Sequence, residues 1–271
     1  MKHKDQTDPS SIADFERQAW QGAAAVYEDY VAFMTATSGQ RDLILGVADV
    51  DKTSEVLDVG CGPGLLASQL EDSVKRIVGI DFASNMISEA VQRFPSIEFY
   101  EADAEATQFE DRSFDCVVVN YCAHHLARPE KAFQECRRIL RERGRIVIVH
   151  PIQARQACWG SFLKALVQEL PPETNPSGPL FDLAEPDDYR SLLADCGFAE
   201  PQCEALTKPV KLESLDTLLH AAWAVTGLND QPEHIQNRIK AQTIENASQH
   251  KLGDGSYEFP DEVLLAWAYR P

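Results

Sequence analysis

The feature that most constrains this 271-residue chain is the stretch 56–64, which reads V-L-D-V-G-C-G-P-G. The segment Glu55–Val59 is short, mostly apolar and rich in β-branched residues, which is typical of a strand buried in a parallel sheet. Glycines then break the strand, and apolar residues return at helical spacing over Leu65–Leu70. A strand, a glycine turn and a helix predict the first unit of a nucleotide-binding α/β fold, because glycine allows a tight turn and close approach to a ligand.

The spacing of the glycines and one acidic residue indicate which nucleotide the turn would hold. A dinucleotide fingerprint needs glycine at the position of Leu65, whereas this chain has its glycine at Gly64. Asp58, just before the turn, would repel a diphosphate and suits a ligand with a cationic amino or sulfonium group. A nicotinamide-dependent reductase is therefore disfavoured, and a glycine turn without any ligand is the structural alternative.

The stretch 56–64 resembles the first motif of the class I S-adenosylmethionine-dependent methyltransferases, and within them the ubiquinone/menaquinone-type group that acts on small molecules. The resemblance covers residues 56–150 closely and the rest of the chain loosely. It implies an enzyme that methylates an oxygen, carbon or nitrogen of a small-molecule acceptor by in-line attack on the sulfonium methyl, leaving S-adenosylhomocysteine. Two alternatives stay open: a protein of this fold that binds the cofactor without transferring methyl, and an enzyme that methylates proteins.

Alternating strand and helix patterns predict a parallel sheet with right-handed crossovers. The predicted strands cover residues 55–59, 76–80, 97–101, 116–120, 144–150, 198–207 and 263–269. The resemblance adds the strand order 3-2-1-4-5-7-6 with an antiparallel last strand. The expected fold is therefore α/β, a doubly wound, mostly parallel, seven-stranded sheet with helical lid insertions.

One structural domain is expected, divided into successive segments. They are an N-terminal helical lid (1–50), a Rossmann-like cofactor-binding core (51–150), an inserted lid segment (151–186), a core helix and strand (187–207), a helical insertion (208–256) and a closing strand (257–271). A serine is expected to cap the first helix, which would begin after Ser10 or Ser11, and Ser84 is expected to cap a later one. The acceptor pocket is predicted to be shaped by Trp159, Phe162, Phe181, His220 and Trp223.

The composition of the chain restricts its expected binding partners and its expected location in the cell. The chain has 25 Lys and Arg against 43 Asp and Glu, a net charge of −18, so it repels nucleic acids and anionic membranes. No apolar stretch is long enough to span a bilayer, and the first residues lack the apolar core of a signal peptide. Seven scattered cysteines without a C-x-x-C pair predict reduced thiols in a cytoplasmic protein. No residue set has metal-ligand spacing, and nothing indicates an oligomeric state.

Acidic residues at two strand ends are candidates for binding the nucleoside. Asp81 follows the second predicted strand, where a carboxylate accepts hydrogen bonds from ribose hydroxyls, and the alternative is a solvated charge. Phe82 and Met86 would border the adenine. The resemblance implies that Asp103 accepts a hydrogen bond from the adenine amino group and that the backbone N–H of Ala104 meets a ring nitrogen. A simple turn role is the alternative for Asp103.

The remaining predicted cofactor contacts come from the glycine turn and its surroundings. Tyr27 lies in a segment that resembles the N-terminal helices of these enzymes and is predicted to lie near the cofactor. The alternative is that Tyr27 packs in the core. The other members of this set are Asp58, Gly60, Cys61, Gly62, Gly64 and Asn120.

Three histidines near the ends of the fourth and fifth strands are candidates for a general base. Ligands of such sheets bind beyond the carboxyl ends of the strands, at the switch point between strands one and four, so the reactive methyl is expected near residues 120–125. Imidazole titrates near neutral pH and can accept a proton there. Because adjacent side chains cannot both point into one pocket, His124, His125 and His150 are rival candidates, and lining the pocket or supporting the structure is the alternative for each.

Overall fold

The structure is a computed structural model, and it describes residues 8–22, 40–170, 179–180, 183–226 and 228–271. Its helices are α1 (Pro9–Gly22), α2 (Arg41–Ala48), α3 (Leu65–Leu70), α4 (Ser84–Arg93), α5 (Pro129–Ile139), α6 (Ala157–Glu169), α7 (Pro186–Asp195), α8 (Asp216–Thr226) and α9 (Glu233–Ala247). Its strands are β1 (Glu55–Val59), β2 (Arg76–Asp81), β3 (Glu98–Glu101), β4 (Phe114–Asn120), β5 (Leu140–Pro151), β6 (Ala199–Leu212) and β7 (Tyr257–Tyr269).

The strands form one seven-stranded sheet in the order β3-β2-β1-β4-β5-β7-β6. Strands β1 to β5 pair in parallel, and β7 runs antiparallel to both β5 and β6. The predicted fold and strand order are confirmed. In the centre, Leu57 of β1 lies opposite Val78 of β2 and Val117 of β4, and all three side chains are fully buried. This double burial explains the continuous apolar runs in the sequence.

The three strands at one side of the sheet, β5, β7 and β6, are longer than their sequence patterns predict. Strand β5 begins at Leu140 instead of residue 144, β6 extends to Leu212 instead of 207, and β7 begins at Tyr257 instead of 263. Strands β6 and β7 stay paired as far as Leu212 opposite Tyr257, well past the end of the parallel sheet. Strand β6 is an edge strand that carries prolines and many exposed residues, so its apolar pattern is weak.

The core consists of three clusters of buried side chains. One covers the sheet face under α5 and α7 and includes Phe133 and Tyr189, and another covers the opposite face under α2 and α3. The third joins α6, α8, α9 and the far end of the β6–β7 hairpin around Phe162 and Phe259. Each fully buried large apolar side chain contributes about 1.5–3 kcal/mol relative to its exposed state.

At the start of two helices, aspartates and not the predicted serines accept hydrogen bonds from backbone N–H groups. Helix α1 begins at Pro9, and Asp8 accepts hydrogen bonds from the backbone N–H and hydroxyl of Ser10. Ser84 is the first residue of α4 and makes no cap with its side chain, while the preceding Ala83 donates its N–H to Asp81. Gly197 follows the end of α7 in the left-handed conformation, with φ +84°, which is typical of a helix stop.

Candidate functional site

The glycine turn after β1 is fixed to the end of β2. The backbone N–H groups of Gly60 and Cys61 both donate to the carbonyl of Ile80, over 2.8 and 2.9 Å. Gly60 has φ +69°, and a Cβ placed there would overlap the Sγ of Cys122 and lie 2.6 Å from its Cβ. Both the backbone conformation and the available space therefore require glycine at this position.

The other two glycines of the turn serve different purposes. Gly62 has φ +49°, but a Cβ there would meet nothing within 4 Å. Gly64 has φ +82°, and a Cβ there would lie 2.6 Å from the ring of Phe99 on β3. Gly62 therefore leaves open space at the turn, and Gly64 allows close packing of the helix start against the sheet.

Asp81 connects the glycine turn to the start of α4. Its carboxylate accepts the N–H of Gly62 at 3.0 Å through Oδ2 and the N–H of Ala83 at 2.9 Å through Oδ1. The residue is only 8% exposed, and burial raises the pKa of this carboxyl, although both N–H groups act in the opposite direction. Each oxygen keeps a further lone pair, so the predicted ribose contact remains possible in addition to this backbone role.

A cavity of about 90 Å³ opens beyond the carboxyl ends of β1, β2 and β4. It brings together many of the predicted site residues, namely Asp58, Gly60, Cys61, Gly62, Asp81, Phe82, Met86, Asn120 and His125. It is also lined by residues that the sequence did not single out, namely Trp20, Pro63, Leu65, Leu66, Tyr121 and Cys122. The cavity lies at the switch point of the sheet. There β1 lies between β2 and β4, and the strand order continues in opposite directions from these two neighbours.

A second, more open cavity of about 530 Å³ shares Phe82 with the first. Asp103 lines it, but this side chain is exposed and accepts the N–H of Glu105 at 2.8 Å in a local turn. Ala104 packs against the core and lines neither cavity, and Gly64 also lines neither. The predictions for Tyr27 and Phe181 lie outside the described residues.

Two buried oxygen atoms of residues that line the first cavity have no hydrogen-bond donor within the described chain. They are Oδ2 of Asp58, a residue that is 1% exposed, and Oδ1 of Asn120. Burial, and then the nearby charge of Asp81, raise the pKa of Asp58 to about 7, while the N–H of Ala67 opposes the shift. Because buried acceptors are costly without donors, this pair fits a ligand that brings N–H donors, such as the amino group of S-adenosylmethionine.

Among the three candidate histidines, the structure brings His125 to the first cavity. Its Nδ1 lies 2.9 Å from Oε2 of Glu16 on α1. His150 is fully buried, its Nδ1 lies 3.0 Å from the hydroxyl of Tyr189, and burial lowers the pKa of His150 to about 4. Burial also lowers the pKa of His124, which does not line the cavity. The role of general base stays a prediction for each of the three histidines.

Helix α1 contributes two residues to the site that sequence analysis missed, Glu16 and Trp20. Trp20 lines the cavity, donates Nε1–H to Oε2 of Glu16 at 3.0 Å and packs its ring edge-on against His125 at 5.2 Å. The side chain of Asn85 on α4 donates to the Trp20 carbonyl at 2.8 Å. The four-residue spacing of Glu16 and Trp20, which puts both on one helix face, is the sequence signal that could have identified them.

The predicted acceptor-pocket aromatics pack among themselves in the third core cluster. The rings of Trp159 and Phe162 are 5.4 Å apart, and those of Phe162 and Trp223 are 6.2 Å apart. None of the three lines the first cavity, and His220 is exposed. Their predicted role in shaping an acceptor pocket remains untested.

The sequence comparisons agree with this geometry. Residues 57–148 match a protein family described as a methyltransferase domain. The demethylmenaquinone methyltransferase of Paenarthrobacter aurescens (strain TC1) is 30% identical over 125 residues, which are 45% of this chain and 49% of the relative. The uncharacterized methyltransferase YcgJ of Bacillus subtilis (strain 168) is 30% identical over 131 residues, 46% of this chain and 51% of the relative. The chain thus spans about half the length of these relatives.

Solved structures share the fold across most of the chain. The crystal structure of YcgJ has a TM-score of 0.58 at 18% identity and covers 85% of this chain and 97% of that one. Phosphoethanolamine N-methyltransferase 2 of Haemonchus contortus, in complex with S-adenosylmethionine, has a TM-score of 0.57 at 18% identity and covers 89% and 56%. Residues 57–148 therefore match a methyltransferase domain, and the sheet that contains them has the Rossmann-like strand order β3-β2-β1-β4-β5-β7-β6.

Among the residues that the structure describes, no helix is long and apolar enough to cross a bilayer. No group of three or more His, Cys, Asp or Glu side chains in the described ranges could hold a metal ion.

Proposed function

We propose that this protein transfers a methyl group from S-adenosylmethionine to a small-molecule acceptor at an oxygen, nitrogen or carbon atom. The observation that carries the proposal is a pair of buried oxygen atoms that accept no hydrogen bond within the described chain. They belong to Asp58 and Asn120, behind the glycine turn. A phosphate-binding turn would present N–H donors and avoid carboxylates, whereas a cationic amino acid moiety needs acceptors of this kind.

Residues along the two cavities would hold successive parts of the cofactor. Asp58 and Asn120 would bind its amino group, Asp81 its ribose, and Phe82 and Met86 would border its adenine. Bound S-adenosylmethionine supplies an activated methyl group on a sulfonium. The protein has to exclude water and align the acceptor, and orientation alone can supply about 7–11 kcal/mol in favourable cases.

The charges around the first cavity favour a neutral or cationic acceptor. Among its described lining residues are Asp58 and Asp81 but no Lys or Arg. A carboxylate or phosphate on the acceptor would lack a partner there, and burying an unpaired charge is unfavourable. We therefore propose phenols, quinols and amines without an anionic group as the acceptor class.

The test is calorimetric titration with S-adenosylmethionine and S-adenosylhomocysteine, followed by an acceptor screen. We expect micromolar binding of both and no binding of NADH, which serves as the control. The screen pairs each neutral phenol with its carboxylated analogue and measures the S-adenosylhomocysteine formed. Binding without turnover on any acceptor would favour the alternative of a cofactor-binding protein that does not methylate, and absence of binding would overturn the proposal.

Replacing Asp58 by asparagine should increase stability and weaken cofactor binding. Below about pH 4 the carboxyl is protonated in both the folded and the unfolded chain, and as the pH rises the unfolded chain loses its proton first. The buried Asp58 therefore costs stability increasingly between about pH 4 and its folded pKa of about 7. We expect Asp58→Asn to raise the free energy of unfolding by roughly 2–4 kcal/mol at pH 8 and by little at pH 4.

Denaturant unfolding at both pH values measures the stability effect, and calorimetry measures the affinity for S-adenosylhomocysteine. The wild-type affinity should rise from pH 6 to pH 8 as the carboxylate form becomes populated, whereas Asp58→Asn should bind at least about tenfold more weakly at pH 8. Asp14→Asn, an exposed substitution with the same charge change, should alter neither quantity. Unchanged affinity in Asp58→Asn would contradict the amino-group role.

A further inference from the structure

The contact between Glu16 and His125 joins helix α1 to the turn that follows β4. Oε2 of Glu16 lies 2.9 Å from Nδ1 of His125 and also accepts the indole N–H of Trp20 at 3.0 Å. The Glu16 side chain is 10% exposed and that of His125 is 25% exposed. A nearly buried carboxylate that bridges two ring N–H groups is held in a defined position, since a change in rotamer would break both hydrogen bonds.

This contact determines which tautomer His125 adopts. A carboxylate accepts and does not donate, so Nδ1 must carry the proton in the hydrogen bond to Glu16. The neutral ring of His125 then has its lone pair on Nε2, and His125 lines the first cavity. His125 therefore presents a proton acceptor in the tautomer that a free imidazole adopts less often.

The neighbouring ionisable groups are compatible with this arrangement. Asp81 lies near enough for the charge of His125 to influence it, and the ring of His124 is 4.0 Å from that of His125. His124 and His150 are buried with lowered pKa values, so they remain neutral and add no charge beside His125 near neutral pH. Neither of them lines the cavity.

We propose that Glu16 is a positioning residue that holds His125 as the base which accepts the proton of a neutral hydroxyl acceptor. The inference rests on the proposed function. The acceptor oxygen forms the new bond to the methyl carbon, its proton passes to Nε2 of His125, and the electron pair of the broken carbon–sulfur bond stays on sulfur. Because Glu16 belongs to α1 and His125 to the turn that follows β4, the base is complete only when α1 is seated on the core.

The first test is the tautomer of His125, read from long-range ¹H–¹⁵N NMR spectra of the ¹⁵N-labelled protein, with His125→Gln identifying its signals. We expect the Nδ1–H tautomer in the wild type and conversion towards the Nε2–H tautomer in Glu16→Met, which keeps the volume but removes the acceptor. Asp14→Asn, on the exposed side of the same helix, should leave the spectrum of His125 unchanged. An Nε2–H tautomer in the wild type, or two protonated nitrogens at pH 7.5, would overturn the inference.

The second test measures turnover with a neutral phenol taken from the acceptor screen. We expect Glu16→Met and His125→Gln each to lower kcat by about 10² or more, with the KM of the phenol changed far less. Glu16→Asp, which retains an acceptor oxygen, should restore part of kcat. An unchanged kcat in Glu16→Met would overturn the positioning role.

Binding of S-adenosylhomocysteine separates this inference from the proposed function. Glu16→Met should bind the nucleoside within about threefold of the wild-type affinity, since the glycine turn and Asp81 are unaltered. If the wild type binds no S-adenosylhomocysteine, the proposed function fails. The NMR experiment needs no cofactor and still decides whether Glu16 sets the tautomer of His125.

Discussion

Gly60→Ala is expected to destabilise the protein by more than about 3 kcal/mol and to abolish cofactor binding. Two costs combine at this position. An alanine at φ +69° is strained by about 1 kcal/mol or more, and its Cβ would overlap the Sγ of Cys122. Relief requires the turn to move away from Ile80, which breaks the hydrogen bonds of Gly60 and Cys61 to that carbonyl. Denaturant unfolding and calorimetry with S-adenosylhomocysteine measure the two effects.

Gly62→Ala is the matched control for this substitution. It also has a positive φ, but its Cβ would meet nothing within 4 Å, so only the backbone strain of about 1 kcal/mol remains. The difference between the two variants isolates the overlap with Cys122. Equal loss of stability in both would mean that the turn relaxes freely and that Cys122 does not restrict position 60.

Asp81→Asn is expected to weaken S-adenosylhomocysteine binding by about 10² to 10⁴, since each hydrogen bond to a charged group contributes about 1.5–3 kcal/mol. The substitution has two separate effects on the site. It removes the carboxylate proposed to bind the ribose, and it places an amide NH₂ against one of the two backbone donors, Gly62 or Ala83. The turn then loses the group that connects it to α4. Calorimetric titration measures the affinity, and circular dichroism verifies that the fold is retained.

Asp103→Asn provides the comparison for Asp81. Asp103 is exposed and already bonded to Glu105, so its removal should weaken binding by less than about tenfold. A larger effect at position 103 than at 81 would reverse the two assignments. Near-normal affinity in Asp81→Asn would refute the ribose role itself.

The central strands and the glycine turn could be predicted because both are encoded locally, whereas the strand order came from the resemblance to the class I methyltransferases. Buried parallel strands leave continuous apolar runs, and glycine is required wherever the backbone takes a positive φ, as at Gly60. Asp58 also follows from local sequence, because an acid beside the turn excludes a diphosphate. These features depend on neighbouring residues, so one sequence was sufficient to find them.

The parts that escaped prediction depend on contacts between distant residues. Asn85 holds Trp20 across 65 positions of the chain, and no periodicity reports such a pairing. The rival histidines could not be ranked for the same reason, because only the packing of Tyr189 shows that His150 points into the core. The extra length of β6 was hidden because an edge strand needs no apolar alternation once β7 pairs with it.

The position of β7 has a consequence for how the protein folds. This strand pairs with β5, yet its Asp261 reaches back 103 positions to accept the N–H of Cys158 in the first turn of α6. On a translating ribosome, β5 must therefore remain an open sheet edge, and α6 uncapped, while both helices of the insertion are made. Such long-range closure slows folding, and open edges attract other chains. The interval before β7 emerges is when a newly made molecule is most exposed to aggregation and most dependent on chaperones.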